Sequence, residues 1–488
     1  MTHRLIALLP LDDRPPTLLF PQRIAAIAGL EVLTPPRVLL GRFLEPGDRA
    51  ALAGWLEAVA RTADALVIAV DMLAYGGLIA SRDPRWTLEE ALRAVALLPR
   101  LRQAHPTLPI LAASVIMRIS ITSSGAHLRQ HYLDLIRYSE LHYLVTAQGR
   151  SDLQPELERL RAALPPAILE GYQAARRRNH ALNLQMLTYR ATGVLDALLL
   201  LQEDASAAGP HLLEQQALRA RAEELGIGPA VPIYPGADEG TQTLLARLIN
   251  AARAPRFALR WSSPTGAAQI APFEDRPLRE TVQAHISAAG GQCVATDDAA
   301  DVVLWVHSPC SATETQAAAQ NIAQLIDAGQ AVALADVHHP NGADPVLVQA
   351  LADRGVLPRL IAYAGWNTAG NTLGTTIAHA SAWCCAQQQG LPARLRAAHE
   401  RFLFERYVDD WGYQSVVRPA LEAELRARGS DALNLGQEAG AVEALVRERL
   451  GAWAQALWRS GGWAGAPPAL DIRLPWPRTF EVEVTAYD

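Results

Sequence analysis

The segment Ala65-Leu66-Val67-Ile68-Ala69-Val70-Asp71 decides the fold, because it is a continuous apolar run that stops at a carboxylate. A strand that is hydrophobic at every position fits a sheet covered on both faces, as parallel sheets are. The pair Gly76-Gly77 follows closely and indicates a turn or a close approach of the backbone to a ligand. The segment therefore predicts a buried parallel strand with polar residues at its carboxyl end.

Similar short apolar runs recur on both sides of this segment, and stretches with helical spacing separate them. In the first half of the chain the predicted strands are 5–9, 31–33, 65–70, 110–115, 143–146, 197–201 and 231–234. A second series is predicted at 257–261, 292–295, 302–307, 331–335 and 360–363. Strands that alternate with helices predict an α/β fold with parallel sheets.

The length of 488 residues predicts more than one domain. We expect an N-terminal domain over residues 1–252, built as a parallel β/α barrel-like or doubly wound structure. A smaller three-layer α/β domain is expected over 253–390. Residues 391–488 are predicted to be a helical, Arg/Glu-rich region that ends in a strand at 480–485 and docks back on the body.

Composition excludes several classes of function. The net charge is -6 and no basic stripe is visible, so we expect no nucleic-acid partner. No apolar run reaches the length of a membrane span, and the N-terminal residues do not resemble a signal peptide, so a cytoplasmic location is expected. The four cysteines lack metal-ligand spacing. Oligomerisation stays open.

Polar residues follow nearly every predicted strand. In parallel α/β folds the carboxyl ends of the strands and the N-termini of the following helices form the ligand site. The residues predicted there are Asp12, Asp13, Arg14, Asp71, Tyr75, Arg82, Arg118, Asp204, Asp238, Glu239, Asn341, Asp344, Trp366, Asn367 and Asn371. Each of them has a structural alternative, such as a turn or an ion pair.

The pair Asp238-Glu239, within Gly236-Ala237-Asp238-Glu239-Gly240, is the most specific of these signals. It could start a helix near Gly240, with Asp238 as the cap. It could equally supply a general acid and a partner that orients or stabilises a reacting group. The pair resembles the Gly-Gly-Asp-Glu motif of substrate-assisted β-N-acetylhexosaminidases, which implies Glu239 as the general acid and Asp238 as the residue that steadies the acetamide.

The segment after the strand at 360–363 suggests a carbohydrate ligand. Trp366, Asn367 and Asn371 precede a predicted helix over 373–382, with Asn371 or Thr372 as its cap. Asparagine amides donate and accept hydrogen bonds, and an aromatic face packs against a sugar ring. A structural role in the loop remains the alternative.

A divalent metal is a competing use of the second series of strands. His307, Asp336 and His338 lie at or just beyond two strand ends, and Asp-x-His can supply two ligands from one loop. No cofactor is otherwise predicted. No Walker loop, Gly-x-Ser-x-Gly elbow or Gly-x-Gly-x-x-Gly after the first strand is found, so nucleotide binding and serine hydrolysis lack support.

Taken together, five segments resemble a bacterial protein family, domain of unknown function 4127, over nearly the whole chain. They are residues 8–15, 70–78 with Ser81-Arg82, 236–239, 341–344 and 365–374. The resemblance implies membership of the family and no activity.

The sequence predicts a glycoside hydrolase of the carboxylate type, with Glu239 as the general acid and Asp238 as its partner. Asp12 and Asp71 complete the predicted catalytic group. An N-acetylhexosaminide is one expected substrate. The alternatives are a metal-dependent hydrolase or isomerase of a small polar metabolite, and a non-catalytic sugar-binding protein.

Overall fold

The structure is a computed structural model that describes residues 5–122 and 126–487. It forms two compact units. The first comprises Met1–Asp13, Glu31–Leu244 and Phe273–Asp275. The second comprises Arg14–Leu30, Leu245–Pro272 and Arg276–Asp488.

The strands are β1 (Leu5–Leu9), β2 (Glu31–Leu33), β3 (Ala65–Ala69), β4 (Ile110–Ile116), β5 (Ala197–Gln202), β6 (Ile233–Pro235), β7 (Arg256–Trp261), β8 (Gln292–Val294), β9 (Val302–His307), β10 (Val332–Asp336), β11 (Ala362–Ala364), β12 (Ala469–Arg473) and β13 (Glu483–Tyr487). The α-helices are α1 (Pro15–Ala28), α2 (Arg49–Val59), α3 (Val70–Tyr75), α4 (Leu88–Val95), α5 (Leu97–Ala104), α6 (Ala126–Gln148), α7 (Gln154–Ala163), α8 (Pro166–Ala191), α9 (Pro210–Glu224), α10 (Gly240–Asn250), α11 (Leu278–Ala288), α12 (Ala312–Asp327), α13 (Pro345–Ala352), α14 (Ala369–Gln388), α15 (Ala393–Arg406), α16 (Arg418–Ala427) and α17 (Ala439–Ser460). A π-helix spans Tyr407–Val417.

The first unit contains a six-stranded parallel sheet in the order β2-β1-β3-β4-β5-β6. Every residue of β3, β4 and β5 is buried, as the continuous apolar runs predict. The sheet is open, because β2 and β6 occupy its two edges. Of the barrel-like and doubly wound architectures expected for this region, the doubly wound one is confirmed.

The second unit contains a five-stranded parallel sheet in the order β11-β10-β9-β7-β8. Read from its other edge, this order repeats that of β2-β1-β3-β4-β5 in the first sheet. In such sheets the chain leaves one central strand in both directions, and the crevice at that switch point receives ligands. The switch points lie between β1 and β3 in the first sheet and between β7 and β9 in the second.

The C-terminal part of the chain packs within the second unit. The π-helix, α16, α17 and the antiparallel pair β12-β13 share one hydrophobic core with β9, β10, α12 and α13. Leu403, Tyr407, Trp411 and Leu450 are among its buried members. The helical content predicted for this region is therefore confirmed, and β12 is a strand that the sequence did not indicate.

Two local predictions are wrong. Residues 143–146 lie inside α6 and are not a strand. Leu135, Tyr138 and Leu141 are buried at helical spacing in that segment, so its apolar residues belong to one face of a helix. The helix predicted at 373–382 begins at Ala369, and its cap is Thr368, whose Oγ1 accepts from the backbone N–H of Asn371 at 3.5 Å.

Among the helices of the described ranges, none combines the length and the apolar composition needed to cross a bilayer.

Candidate functional site

The carboxyl edge of the first sheet carries a row of buried acidic residues. Asp12 follows β1, Asp71 follows β3, Glu203 follows β5, and Asp238 and Glu239 follow β6. Neighbouring strands are about 4.8 Å apart, so β1 and β6 are separated by roughly 19 Å. The row therefore divides into local groups, and the predicted catalytic residues Asp12 and Glu239 follow strands at opposite ends of it.

Asp71 lies in the first turn of α3, directly after the buried strand β3. Its Oδ2 accepts a hydrogen bond from the backbone N–H of Val115 at 3.0 Å. Burial raises the pKa of Asp71 to about 7, and the charge of Glu203 adds to the increase. Asp71 is therefore a carboxyl that holds or releases a proton near neutral pH.

Glu203 follows β5 and was not among the predicted site residues, although its position after a buried strand was a usable signal. It pairs with Arg82, and its Oε1 lies 3.9 Å from Nη1 of Arg118. Arg82 also donates to Oγ1 of Thr122 at 2.8 Å. Two arginines predicted to bind substrate thus form ion pairs with an adjacent carboxylate.

A cavity of about 220 Å³ adjoins this group within the first unit. Arg118 stands at its polar side, where it pairs with Asp204 and donates to the hydroxyl oxygen of Tyr132 at 2.9 Å. The lining residues are Arg118, Ile119, Ser120, Tyr132, Ile136, Asp204, Ala205, Ser206 and Phe273. The cavity therefore combines charged groups, hydroxyls and two aromatic rings.

Glu239 is fully buried and its side chain turns back on its own loop. Its Oε2 accepts from the backbone N–H of Ala237 at 2.8 Å, and its carbonyl oxygen accepts from the N–H of Thr243 at 2.9 Å, in the first turn of α10. A Cβ at Gly236 would overlap Oε1 of Glu239, so the glycine makes room for this carboxylate. The geometry provides a structural use for Glu239 at the helix start.

Two other predicted residues of the first unit contact its own arginines. Oδ2 of Asp13 lies 3.3 Å from Nε of Arg37. Tyr75 is buried under Arg178, whose guanidinium carbon lies 4.6 Å from the ring centroid.

The Gly76-Gly77 turn has a structural explanation. The N–H of Gly47 donates to the carbonyl oxygen of Gly76 at 2.8 Å. A Cβ on Gly41 would overlap that same oxygen. The close approach predicted at these glycines is thus made by the chain's own backbone.

Four predicted substrate-binding residues converge in the second unit. Arg14, Asn341, Trp366 and Asn367 line one small cavity of about 30 Å³, together with Pro16, Asp409, Gln414, Phe480, Glu481 and Val482. Asn341 and Asn367 have left-handed backbones, with φ of 61° and 52°. Such conformations are rare outside glycine and are often found at functional sites.

Trp366 and Asn371 have packing roles near this cavity. Nε1 of Trp366 donates to Oγ1 of Thr375 at 3.2 Å, and its ring meets Phe20 edge to face at 5.8 Å between centroids. Asn371 is buried in the first turn of α14.

A buried ion cluster, which the sequence did not indicate, lies at the start of the π-helix. Arg406 donates to Asp410 at 2.9 Å and to Asp409 at 3.0 Å, and its guanidinium carbon lies 3.7 Å from the ring centroid of Phe20. Asp410 also accepts from the N–H of Gly365 at 2.7 Å. Burial raises the pKa of Asp410, and the charge of Arg406 opposes this increase.

Histidines and an aspartate gather at the switch point of the second sheet. Nε2 of His307 lies 2.9 Å from Oδ2 of Asp344, and its Nδ1 lies 2.7 Å from Oγ of Ser262. Burial lowers the pKa of His307, but the bonds to Asp344 and Cys310 and the charge of Asp336 together outweigh it, and the pKa is about 9. Cys310, which was not among the predicted ligands, has its Sγ 3.9 Å from Nδ1 of His338.

Both carboxylate oxygens of Asp336, a predicted metal ligand, accept hydrogen bonds from the backbone. Its Oδ2 accepts from the N–H of Asp344 at 2.7 Å and its Oδ1 accepts from the N–H of His338 at 3.4 Å. Burial raises the pKa of Asp336 to about 6, although the charge of His307 lowers it. Asp336 thereby shapes the loop that carries His338 and Asp344.

One protein family matches this chain: the model described as "Protein of unknown function (DUF4127)" covers residues 6–485. No curated protein and no solved structure matches the chain.

Proposed function

The chain belongs to the DUF4127 family over nearly its whole length, and the family's description assigns no function. From the residues themselves, we propose that the protein is a glycoside hydrolase of the carboxylate type. The observation that carries the proposal is the pair Asp71 and Glu203. Asp71 is a buried carboxyl with a pKa of about 7, whereas Glu203 is paired with Arg82 and Arg118.

Glycosidic bonds are hydrolysed by two carboxyl groups in opposite protonation states, one of which protonates the leaving oxygen. The carboxyl whose surroundings favour the protonated form is assigned as the acid. The carboxyl whose surroundings favour the charged form is assigned as the base or nucleophile. Asp71 fits the acid and Glu203 fits the base or nucleophile. This assignment moves the proposed acid from Glu239, whose carboxylate accepts from the N–H of Ala237.

A carbohydrate suits the cavity lined by Arg118, which also pairs with Glu203. Arg118, Asp204 and Ser120 can hydrogen-bond hydroxyl groups, and Tyr132 and Phe273 offer flat apolar faces. An N-acetylhexosaminide is the narrower substrate that we propose within this class, because of the likeness of Asp238-Glu239 to the hexosaminidase motif.

The test is a panel of aryl glycosides, including aryl β-N-acetylhexosaminides, assayed with the wild type and with Asp71→Asn and Glu203→Gln. We expect kcat of each variant to fall by about 10² to 10⁴, the usual contribution of a general acid or base. The matched control is Glu156→Gln, which removes a partly exposed carboxylate paired with Arg137 in the same unit. Melting temperatures separate loss of chemistry from loss of fold.

The pH profile adds a second readout. If Asp71 is the acid, kcat/KM falls as the pH rises through its pKa of about 7. Full activity in both variants would overturn the assignment. Sugars that raise the melting temperature without any turnover of the panel would identify a binding protein instead.

A further inference from the structure

We propose that the second unit binds a zinc ion through Cys310, His307, His338 and Asp344. The three side chains His307, Cys310 and His338 offer ligand atoms that all lie within 4.8 Å of one another. Oδ2 of Asp344 lies 2.9 Å from Nε2 of His307 and 3.8 Å from Nδ1 of His338. This site lies in the other unit from Asp71 and Glu203 and does not depend on the proposed hydrolase activity.

Only small shifts of the side chains separate these ligand atoms from the geometry around a tetrahedral ion. Zinc lies about 2.0 to 2.3 Å from nitrogen, oxygen and sulfur ligands, so the ligand atoms of one tetrahedron are about 3.3 to 3.8 Å apart. The separation of 3.9 Å between Sγ of Cys310 and Nδ1 of His338 is close to that range. A thiolate, two imidazoles and one carboxylate form a donor set that binds zinc in preference to magnesium or calcium.

The surrounding groups fix the orientation of two of the proposed ligands, His307 and Asp344. Nδ1 of His307 contacts Oγ of Ser262, which also accepts from Nε1 of Trp305 at 2.8 Å, so Nε2 is left to face the cluster. Oδ1 of Asp344 accepts from the N–H of Val346 at 2.9 Å, which leaves Oδ2 for the ion. Partners of this kind fix the orientation of metal ligands.

Cys310 has a supporting contact and an approach from solvent. Oγ1 of Thr315 lies 3.4 Å from its Sγ, at the distance of a hydroxyl that donates to a thiolate. Cys310 and His338 are only partly buried, so an ion can reach the site, whereas His307 is fully buried. Four protein ligands fill a tetrahedron, so we assign the ion a structural role in joining the segments after β9 and β10.

Metal analysis of the full chain, purified without a histidine tag and supplemented with zinc sulfate, tests the proposal. We expect about one zinc ion per chain in the wild type and a loss of most of it in Cys310→Ser and His338→Ala. His339→Ala is the matched control, because His339 is the exposed neighbour on the same loop and should retain the ion. Cys293→Ser is the control for an exposed thiol elsewhere.

A spectroscopic readout makes the test independent of variants that fail to fold. Cobalt added to the wild type should give the visible bands of a tetrahedral ion together with thiolate charge-transfer absorption, and zinc should displace both. Wild-type protein with neither zinc nor these bands would overturn the proposal and leave a simple His307–Asp344 ion pair. Equal loss of zinc in His339→Ala and Cys310→Ser would also overturn the ligand assignment.

Discussion

The backbone N–H of Asn341 donates to the carbonyl oxygen of Asn367 at 2.8 Å, and both residues have left-handed backbones. Each loop therefore supports the strained conformation of the other. The two loops follow β10 and β11, and both residues line the same small cavity. Backbone strain that is held by a contact between two loops is consistent with a site whose shape matters.

Replacement of Asn341 by alanine and by glycine measures this strain. Both changes remove the amide, so the difference between them reports the backbone. We expect Asn341→Ala to be less stable than Asn341→Gly by about 1 kcal/mol in urea unfolding, because a Cβ is disfavoured at positive φ. In the exposed helical position Ala423 the order should reverse, with Ala423→Gly less stable than the wild type. The same order at both positions would contradict the left-handed conformation.

A double-mutant cycle tests the packing of Gly236 against Glu239. Gly236→Ala introduces a Cβ that overlaps the Glu239 carboxylate, at a φ of 153°. We expect a loss of about 2 kcal/mol, of which about half is recovered when Glu239→Ala removes the clash. Additive effects in chemical denaturation would contradict the tight contact. Glu239→Gln, which can still accept from Ala237, should keep the proposed hydrolase active; a loss of kcat without a loss of stability would restore Glu239 as the acid.

Asp71 makes the stability depend on pH. Its pKa rises from 3.8 to about 7 on folding, so the folded chain binds this proton more tightly. The contribution is complete below pH 3.8 and is lost as the pH rises through about 7. Asp71→Asn stays neutral and can still accept from Val115, so its stability relative to the wild type should increase by on the order of 4 kcal/mol between pH 4 and pH 8. A difference that does not change between these pH values in thermal unfolding would contradict the raised pKa.

The buried cluster around Arg406 should be essential for stability. Arg406→Met removes the arginine that pairs with the buried Asp409 and Asp410, and we expect a loss of about 3 to 5 kcal/mol in denaturant unfolding. Arg449→Met removes an exposed arginine paired with Glu424 and should have little effect. In the Arg406→Met background, Asp410→Asn should recover part of the lost stability, because it removes one uncompensated charge. Equal effects of the two arginine variants would argue against the cluster.

The strands could be predicted because burial on both faces leaves a continuous apolar run, as in 65–69 and 302–307. Residues 143–146 were misassigned because a short apolar run has the same composition in a strand as on one face of a helix. The polar residues after the strands could also be predicted as candidate site residues, since parallel topology brings the carboxyl ends of the strands to one edge of the sheet.

The sequence by itself thus determined the α/β architecture and most of the polar residues at the strand ends. Only the tertiary structure decided which of them meet. Strand order is set by packing between segments far apart in the chain, and it put Glu203 rather than Glu239 beside Asp71. Burial then raised the pKa of Asp71, while Arg82 and Arg118 came to pair with Glu203. In the same way, the fold around β9 and β10 brought Cys310 and Asp344 to His338, a proximity that no spacing along the chain encodes.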